Sequence, residues 1–291
     1  MSNRVIDSHL HVWASQSEAS NGFPYVQEPP ESLRDRASTD ELLKHMADNG
    51  IDGALIVQPI NHKYDHSYVL QAMKTHPDKF KGMLLHDPSL SAEDGVARLE
   101  ELSLQGFVGV RYNPYLWPKV SEDPPKWASM SEGVGLAVYK RCGELGMPVG
   151  VMCFQGLDLH YDDIVALLDK SPQTKLILDH FGFTSLDKPE TFDLLLSLAA
   201  KYPQVYVKVS ALFRQGDTSP YDRVRDERLV PLLQAFGSSR LLFGSDFPFV
   251  LEQPEGYGTN QLVASWLENE DDRNAIMGGT VEQLFGVWNS K

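Results

Sequence analysis

Val5-Ile6-Asp7-Ser8-His9-Leu10-His11 is the first apolar run of the chain, and it ends on two histidines one residue apart. Side chains alternate along a strand, so His9 and His11 share one face and Leu10 takes the other. In an open doubly wound sheet the first strand leads into a glycine-rich phosphate turn. Here Ser8-His9-Leu10-His11 stands in that place. The run therefore reads as the first strand of a closed parallel barrel, an architecture that carries its chemistry at the strand ends.

The rest of the chain repeats the pattern. Runs rich in Val, Ile, Leu and Phe at 5–11, 53–58, 82–86, 107–112, 148–154, 175–180, 205–209 and 241–244 alternate with amphipathic stretches. The helical stretches are 40–49, 67–75, 92–104, 135–145, 161–168, 190–201, 223–236 and 260–268. Ser38-Thr39-Asp40-Glu41 reads as an N-cap with acids in the first turn. Gly50, Gly106 and Gly146 stand where a helix end needs a left-handed residue, and Pro77, Pro172 and Pro203 follow stretches they cannot continue. Eight strand–helix units in 291 residues predict an α/β fold, one (β/α)₈ TIM barrel over 1–291, with a final helix over 271–285 packed on it. The connections 13–37 and 113–132 are long and follow strands one and four. Both fall on the C-terminal face. The second holds Tyr115, Trp117, Pro118 and Trp127, and it reads equally as a lid or as a surface loop burying its aromatics.

Composition narrows the function. Lys plus Arg number 26 against 40 Asp plus Glu, a net charge of −14. That field repels phosphate backbones and anionic lipid, which argues against nucleic-acid and membrane partners and for a small-molecule substrate. An anionic substrate would need local cations such as Arg111. Cys142 and Cys153 are too few for a disulfide framework and read as buried small hydrophobes. No long apolar leader or membrane span is visible, so the expected address is the cytoplasm. Homo-oligomerisation is left open.

Three strand ends carry the candidate chemistry. His9 and His11 end the first, His180 ends the sixth in Leu178-Asp179-His180-Phe181-Gly182, and Asp246 follows the eighth in Gly244-Ser245-Asp246-Phe247-Pro248. Alone, His180 could be a buried histidine bonded to a carbonyl, and Asp246 a turn former. Together they converge on one face. Gln58 and His86 stand near the ends of strands two and three and read as pocket lining. Asn61, His62 and His66 belong to the same polar cluster, whose intervening Lys63 and Asp65 read as solvated loop.

These motifs, in this order, resemble the amidohydrolase superfamily. More narrowly they are similar to its amidohydrolase-related group of pyrone-dicarboxylate lactonase, sugar lactonases and aminocarboxymuconate-semialdehyde decarboxylase. The resemblance runs from the first strand to the terminal helix. It implies that His9 and His11 are the first-strand pair, that His180 polarises a substrate carbonyl, and that Asp246 activates water. Arg111, followed by Tyr112 and Asn113, lies where lactonase relatives contact substrate. Arg111 reads as a two-pronged donor to a carboxylate, against a structural salt bridge under the lid. Trp117, Gln58 and His86 complete the expected substrate shell. Metal-dependent relatives add a lysine or glutamate on strand four or a histidine on strand five. Here those strands offer Arg111 and Val149-Gly150-Val151-Met152-Cys153-Phe154, with Cys153 the one sulfur in reach. The resemblance therefore implies at most one divalent cation, zinc or manganese, on His9, His11 and Asp246, or catalysis without metal. A lactonase is expected. A decarboxylase or hydro-lyase is the enzymatic alternative, and an inactive metabolite-binding barrel the other.

Overall fold

A computed structural model describes residues 4–288; residues 1–3, part of the stretch in which no apolar leader is visible, and 289–291 lie outside the described residues. Strands β1 (Ile6–Leu10), β2 (Gly53–Val57), β3 (Phe80–Leu85), β4 (Phe107–Tyr112), β5 (Val149–Val151), β6 (Leu176–Leu178), β7 (Val205–Ser210) and β8 (Leu241–Gly244) form one sheet in chain order. Each laddered pair is parallel. The sheet closes where β8 returns to β1: the Asp246 N–H donates to the His9 carbonyl at 2.8 Å, and the His11 N–H to that of Phe247 at 2.7 Å. The fold is a (β/α)₈ barrel, and the residues that close it carry the candidate chemistry.

Local signals explain most boundaries. Ser38 caps the helix Thr39–Asn49 through the Glu41 N–H, and Gly50 ends it in the left-handed region. Gly146 ends Gly133–Leu145 in the same way. Gly106 does not: the helix Ala92–Leu104 ends on Gln105, and Gly106 follows at φ 107°. The expected helix over 223–236 is interrupted by a wide π turn at Arg225–Leu229 before Val230–Phe236. Pro231 brings no N–H to the i→i−4 ladder, which slips there by one residue. The terminal helix breaks likewise at Ala275–Gly279, between Glu270–Asn274 and Thr280–Phe285. The long connections also hold structure. A short helix, Gln16–Ser20, lies in the first, and an antiparallel hairpin of Lys119–Glu122 with Pro125–Trp127 in the second. No helix among the described residues is long and apolar enough to cross a membrane.

Two apolar layers result. Alternate strand residues, among them Ala54, Ile56, Leu84, Val110 and Val207, pack outward against the helices. The other set, Ile6, Leu55, Met83, Ile177 and Leu242, meets Leu284, Phe285 and Trp288, so the terminal segment plugs the base of the barrel. On β1 the pairing shifts between Asp7 and Leu10, which oppose Ala54 and Ile56. This bulge inserts one residue, so Ile6 can face the lower core while His9 and His11 face the same interior higher up. At the level of His9 the interior is narrow. A Cβ on Gly244 would lie 2.8 Å from the His9 Cβ and 3.0 Å from its backbone nitrogen. Gly244→Ala is therefore expected to cost about 1–3 kcal/mol through overpacking, read as a lowered melting temperature. An unchanged melting curve would show that β1 yields freely at His9.

Candidate active site

Above the apolar layer the barrel holds ionised groups. Asp179, just past β6, and Lys208, on β7, are fully enclosed, with Nζ 3.3 Å from Asp179 Oδ1. Arg111, near the end of β4, approaches Asp179 Oδ2 at 3.2 Å through a terminal nitrogen. Two cations share one carboxylate and hold its pKa below the ordinary aspartate value, although burial alone would raise it. The His9 Nδ1 touches both partners, 3.1 Å from Asp179 Oδ1 and 3.0 Å from Lys208 Nζ. Its Nε2 is buried without a hydrogen-bond partner.

Asp246 stands over this layer at φ 64°, in the left-handed region that non-glycine residues rarely take. Its Oδ2 accepts from the Arg214 Nε at 2.8 Å. Its Oδ1 lies 3.9, 3.7 and 3.6 Å from the Nε2 atoms of His9, His11 and His180. Burial drives all three imidazoles toward the neutral form, His11 down to about 3, so these approaches are not ion pairs. The same burial pushes the Asp246 carboxyl up to about 6, against the pull of Arg214 and Arg111. His11 Nδ1 donates to the Val57 carbonyl at 2.8 Å, which leaves a lone pair on Nε2. His180 pairs its Nδ1 with the Ser210 hydroxyl at 2.7 Å, and Gln215 holds its backbone carbonyl.

A cavity of about 520 Å³ opens above these groups. Its floor includes His11, His180, Asp246, Arg111 and Arg214, and its walls include Gln27, Gln58, Asn61, Asn113 and Tyr115 beside Trp13, Met152, Phe183 and Phe249. The structure thus brings Gln58, Arg111 and Asn113 to the cavity and keeps three other expected residues out. His86, Tyr112 and Trp117 stack on one another outside it, with centroids 5.0–5.3 Å apart, and the Tyr112 hydroxyl donates to the Gly135 carbonyl. Alternation is the reason. Leu85 and Arg111 point inward, so His86 and Tyr112 point outward and recruit Trp117 to an outer aromatic cluster. Asp65 is exposed and Lys63 half-buried, in keeping with the expected solvated loop, while the backbone beside them braces the cavity wall. The Gln58 amide donates to the carbonyls of Lys63 and Asp65, and buried His62 and His66 accept from the N–H groups of Ala14 and Leu85.

Three site residues were not anticipated: Asp179 and Lys208 in the interior, and Arg214 on the Asp246 carboxylate. A lysine midway along a run such as Val205-Tyr206-Val207-Lys208-Val209 is itself the signal, because a parallel barrel strand has no solvent face.

His9, His11 and Asp246 are a group of three whose ligand atoms all lie within 4.8 Å of one another. The free lone pair on His11 Nε2, the unpartnered His9 Nε2 and Asp246 Oδ1 suit one cation that accepts imidazole and carboxylate. Cys153, the one sulfur in reach by sequence, faces the outer core, buried among apolar side chains.

The amidohydrolase family profile matches residues 6–287. The chain is 24% identical over 302 residues to a 4-sulfomuconolactone hydrolase of Hydrogenophaga intermedia, covering 96% of this chain and 88% of that protein. It is 25% identical over 300 residues to an L-fucono-1,5-lactonase of Burkholderia ambifaria, covering 97% and 95%. Among solved structures, a putative 2-pyrone-4,6-dicarboxylic acid hydrolase of Pseudomonas putida superposes with a TM-score of 0.79 at 24% identity, covering 100% of both chains.

Proposed function

This chain belongs to the amidohydrolase family, and from that membership we propose that it hydrolyses a small, carboxylated lactone, with Asp246 as the base. The observation that carries this reading is the Asp246 carboxyl itself: buried, oriented by Arg214, and surrounded by three imidazole Nε2 atoms at 3.6–3.9 Å. Both curated relatives reported above are named for lactone hydrolysis. The cavity volume of about 520 Å³ suits a small ring.

The steps follow from the geometry. Water donates one hydrogen bond to Asp246 and is held by the His11 Nε2 lone pair. Its oxygen bonds to the lactone carbonyl carbon as Asp246 takes the proton. Negative charge then develops on the former carbonyl oxygen. His180 meets it in the tautomer in which the Ser210 hydroxyl, 2.7 Å from Nδ1, donates to that nitrogen and the ring proton sits on Nε2, facing the reacting group. As the ring C–O bond breaks, the Asp246 carboxyl returns its proton to the leaving oxygen, and the product is a hydroxy acid. Two guanidiniums, Arg111 and Arg214, line the cavity itself. That local field in a chain of net charge −14 favours a carboxylated substrate. If His9, His11 and Asp246 hold a divalent cation, zinc or manganese, it would add Lewis-acid polarisation at the same place.

Acid release from a panel of sugar lactones, muconolactones and pyrone carboxylates, with and without chelator, tests the reading. Turnover of at least one carboxylated member is expected, and a wholly inert panel would move the assignment to lyase chemistry. Asp246 is a base only when ionised, and its carboxyl titrates near 6. The expected kcat/KM therefore falls below about pH 6, approaching tenfold per unit. A profile that is flat from pH 5 to 8 would remove Asp246 from that role.

A further inference from the structure

We propose that Lys208 sets the tautomer of His9, holding the ring proton on Nε2 where it faces the cavity, and that it thereby weakens divalent-cation binding at the histidine pair. The consequence for turnover rests on the hydrolytic reading above; the tautomer and the cation affinity do not.

The His9 Nδ1 has two neighbours that make opposite demands. Asp179 Oδ1, at 3.1 Å, calls for an N–H; Lys208 Nζ, at 3.0 Å, calls for a lone pair. A neutral imidazole nitrogen offers one or the other. The Asp179 charge that calls for that N–H is already balanced by two cations, the Lys208 ammonium 3.3 Å from Oδ1 and the Arg111 guanidinium 3.2 Å from Oδ2, so a proton on His9 Nδ1 adds least there. Lys208 has no such surplus of acceptors. It is enclosed on a strand between Val207 and Val209, and no route to water is open to it. The far end of the ring agrees. His9 Nε2 has no hydrogen-bond partner and lies 3.9 Å from Asp246 Oδ1, a carboxylate that favours a facing N–H over a facing lone pair. Lys208 and Asp246 thus act on opposite ends of one imidazole in the same sense.

Two consequences follow. The Nε2–H becomes a donor aimed where oxyanion charge develops, beside His180. A cation on His9 needs the Nε2 lone pair, so binding it requires the proton to cross to Nδ1 and the Lys208 hydrogen bond to be lost. Lys208 is a positioning residue that favours metal-free operation of the site.

The test uses ¹⁵N-histidine-labelled protein, stripped of metal and without substrate. Long-range ¹H–¹⁵N correlation spectra, assigned with His9→Gln, read the His9 tautomer directly, and calorimetric titration with zinc reads the affinity. The wild type is expected to show Nε2–H. Lys208→Met, which leaves Asp179 paired with Arg111, is expected to show Nδ1–H and to bind zinc about 10–100-fold more tightly, the usual scale for groups behind a ligand. Nδ1–H in the wild type overturns the proposal, and so does equal zinc affinity in a folded Lys208→Met. If that variant does not fold, the wild-type spectrum alone decides. Because no substrate is present, an inert lactone panel would leave this result standing.

Discussion

Replacing Asp246 by Asn is expected to lower kcat by about 10²–10⁴-fold, the range for loss of a positioned general base, while KM stays within a few-fold of wild type. The amide keeps the shape of the carboxylate, and its oxygen can still accept from the Arg214 Nε, which now bonds Oδ2 at 2.8 Å. The ring of imidazoles is untouched, so substrate still finds Arg111, Arg214 and the cavity walls. What disappears is the ability to take a proton from water. Stability should move the other way. The carboxyl titrates near 6 in the folded chain, above its ordinary 3.8, because burial disfavours its charge. Its favourable contribution is complete below about 3.8 and is lost as pH rises through about 6. Near neutral pH the folded protein therefore carries a buried charge that the amide removes. A melting temperature equal to or above wild type, together with the loss of turnover, would distinguish a missing base from a damaged fold. Turnover within tenfold of wild type would eliminate Asp246 as the base.

The sequence was most legible where chemistry and period agree. β4 and β8 occupy the expected 107–112 and 241–244. His9, His11, His180 and Asp246 meet at one place because each sits at a strand end and closed barrels bring strand ends together. The failures share a cause in parity. His86 and Tyr112 follow inward residues by one position, and one position is the difference between cavity and outer core. Bulges compound this. The extra residues on β1 near Ser8 and on β4 near Val108 reset the alternation partway along, and nothing in the residue types announces them. Lys208 and Asp179 were missed because a charged residue in an apolar run ordinarily marks a solvent face. Their pairing appears only when β6 and β7 are laid side by side, Leu178 against Val207.

That pairing makes Asp179 the position where substitution should cost most stability. Asp179→Asn leaves Lys208 and Arg111 inside the barrel with a neutral amide between them. Removing one partner of a buried ion pair typically costs about 3–5 kcal/mol. Two routes of escape bound the estimate. Lys208 can discharge instead: a lysine of ordinary pKa, about 10.4, loses its proton at pH 7.5 for about 4 kcal/mol. Arg111 has no such route, because a guanidinium stays protonated. It is nearly enclosed, and its Nε already lacks a hydrogen-bond partner. At about 2 °C per kcal/mol for a chain of this size, the expected fall in melting temperature is roughly 6–10 °C. The sign of the pH dependence is also set. The lysine's share of the cost shrinks as pH approaches its ordinary pKa, so the gap to wild type should narrow between pH 7.5 and 9.5. Adding Lys208→Met to Asp179→Asn removes one stranded cation and should restore part of the loss, a coupling that a double-mutant cycle measures. If Asp179→Asn melts within 2 °C of wild type at pH 7.5, or if Lys208→Met adds to the loss rather than relieving it, the buried trio does not hold this barrel together as its geometry requires.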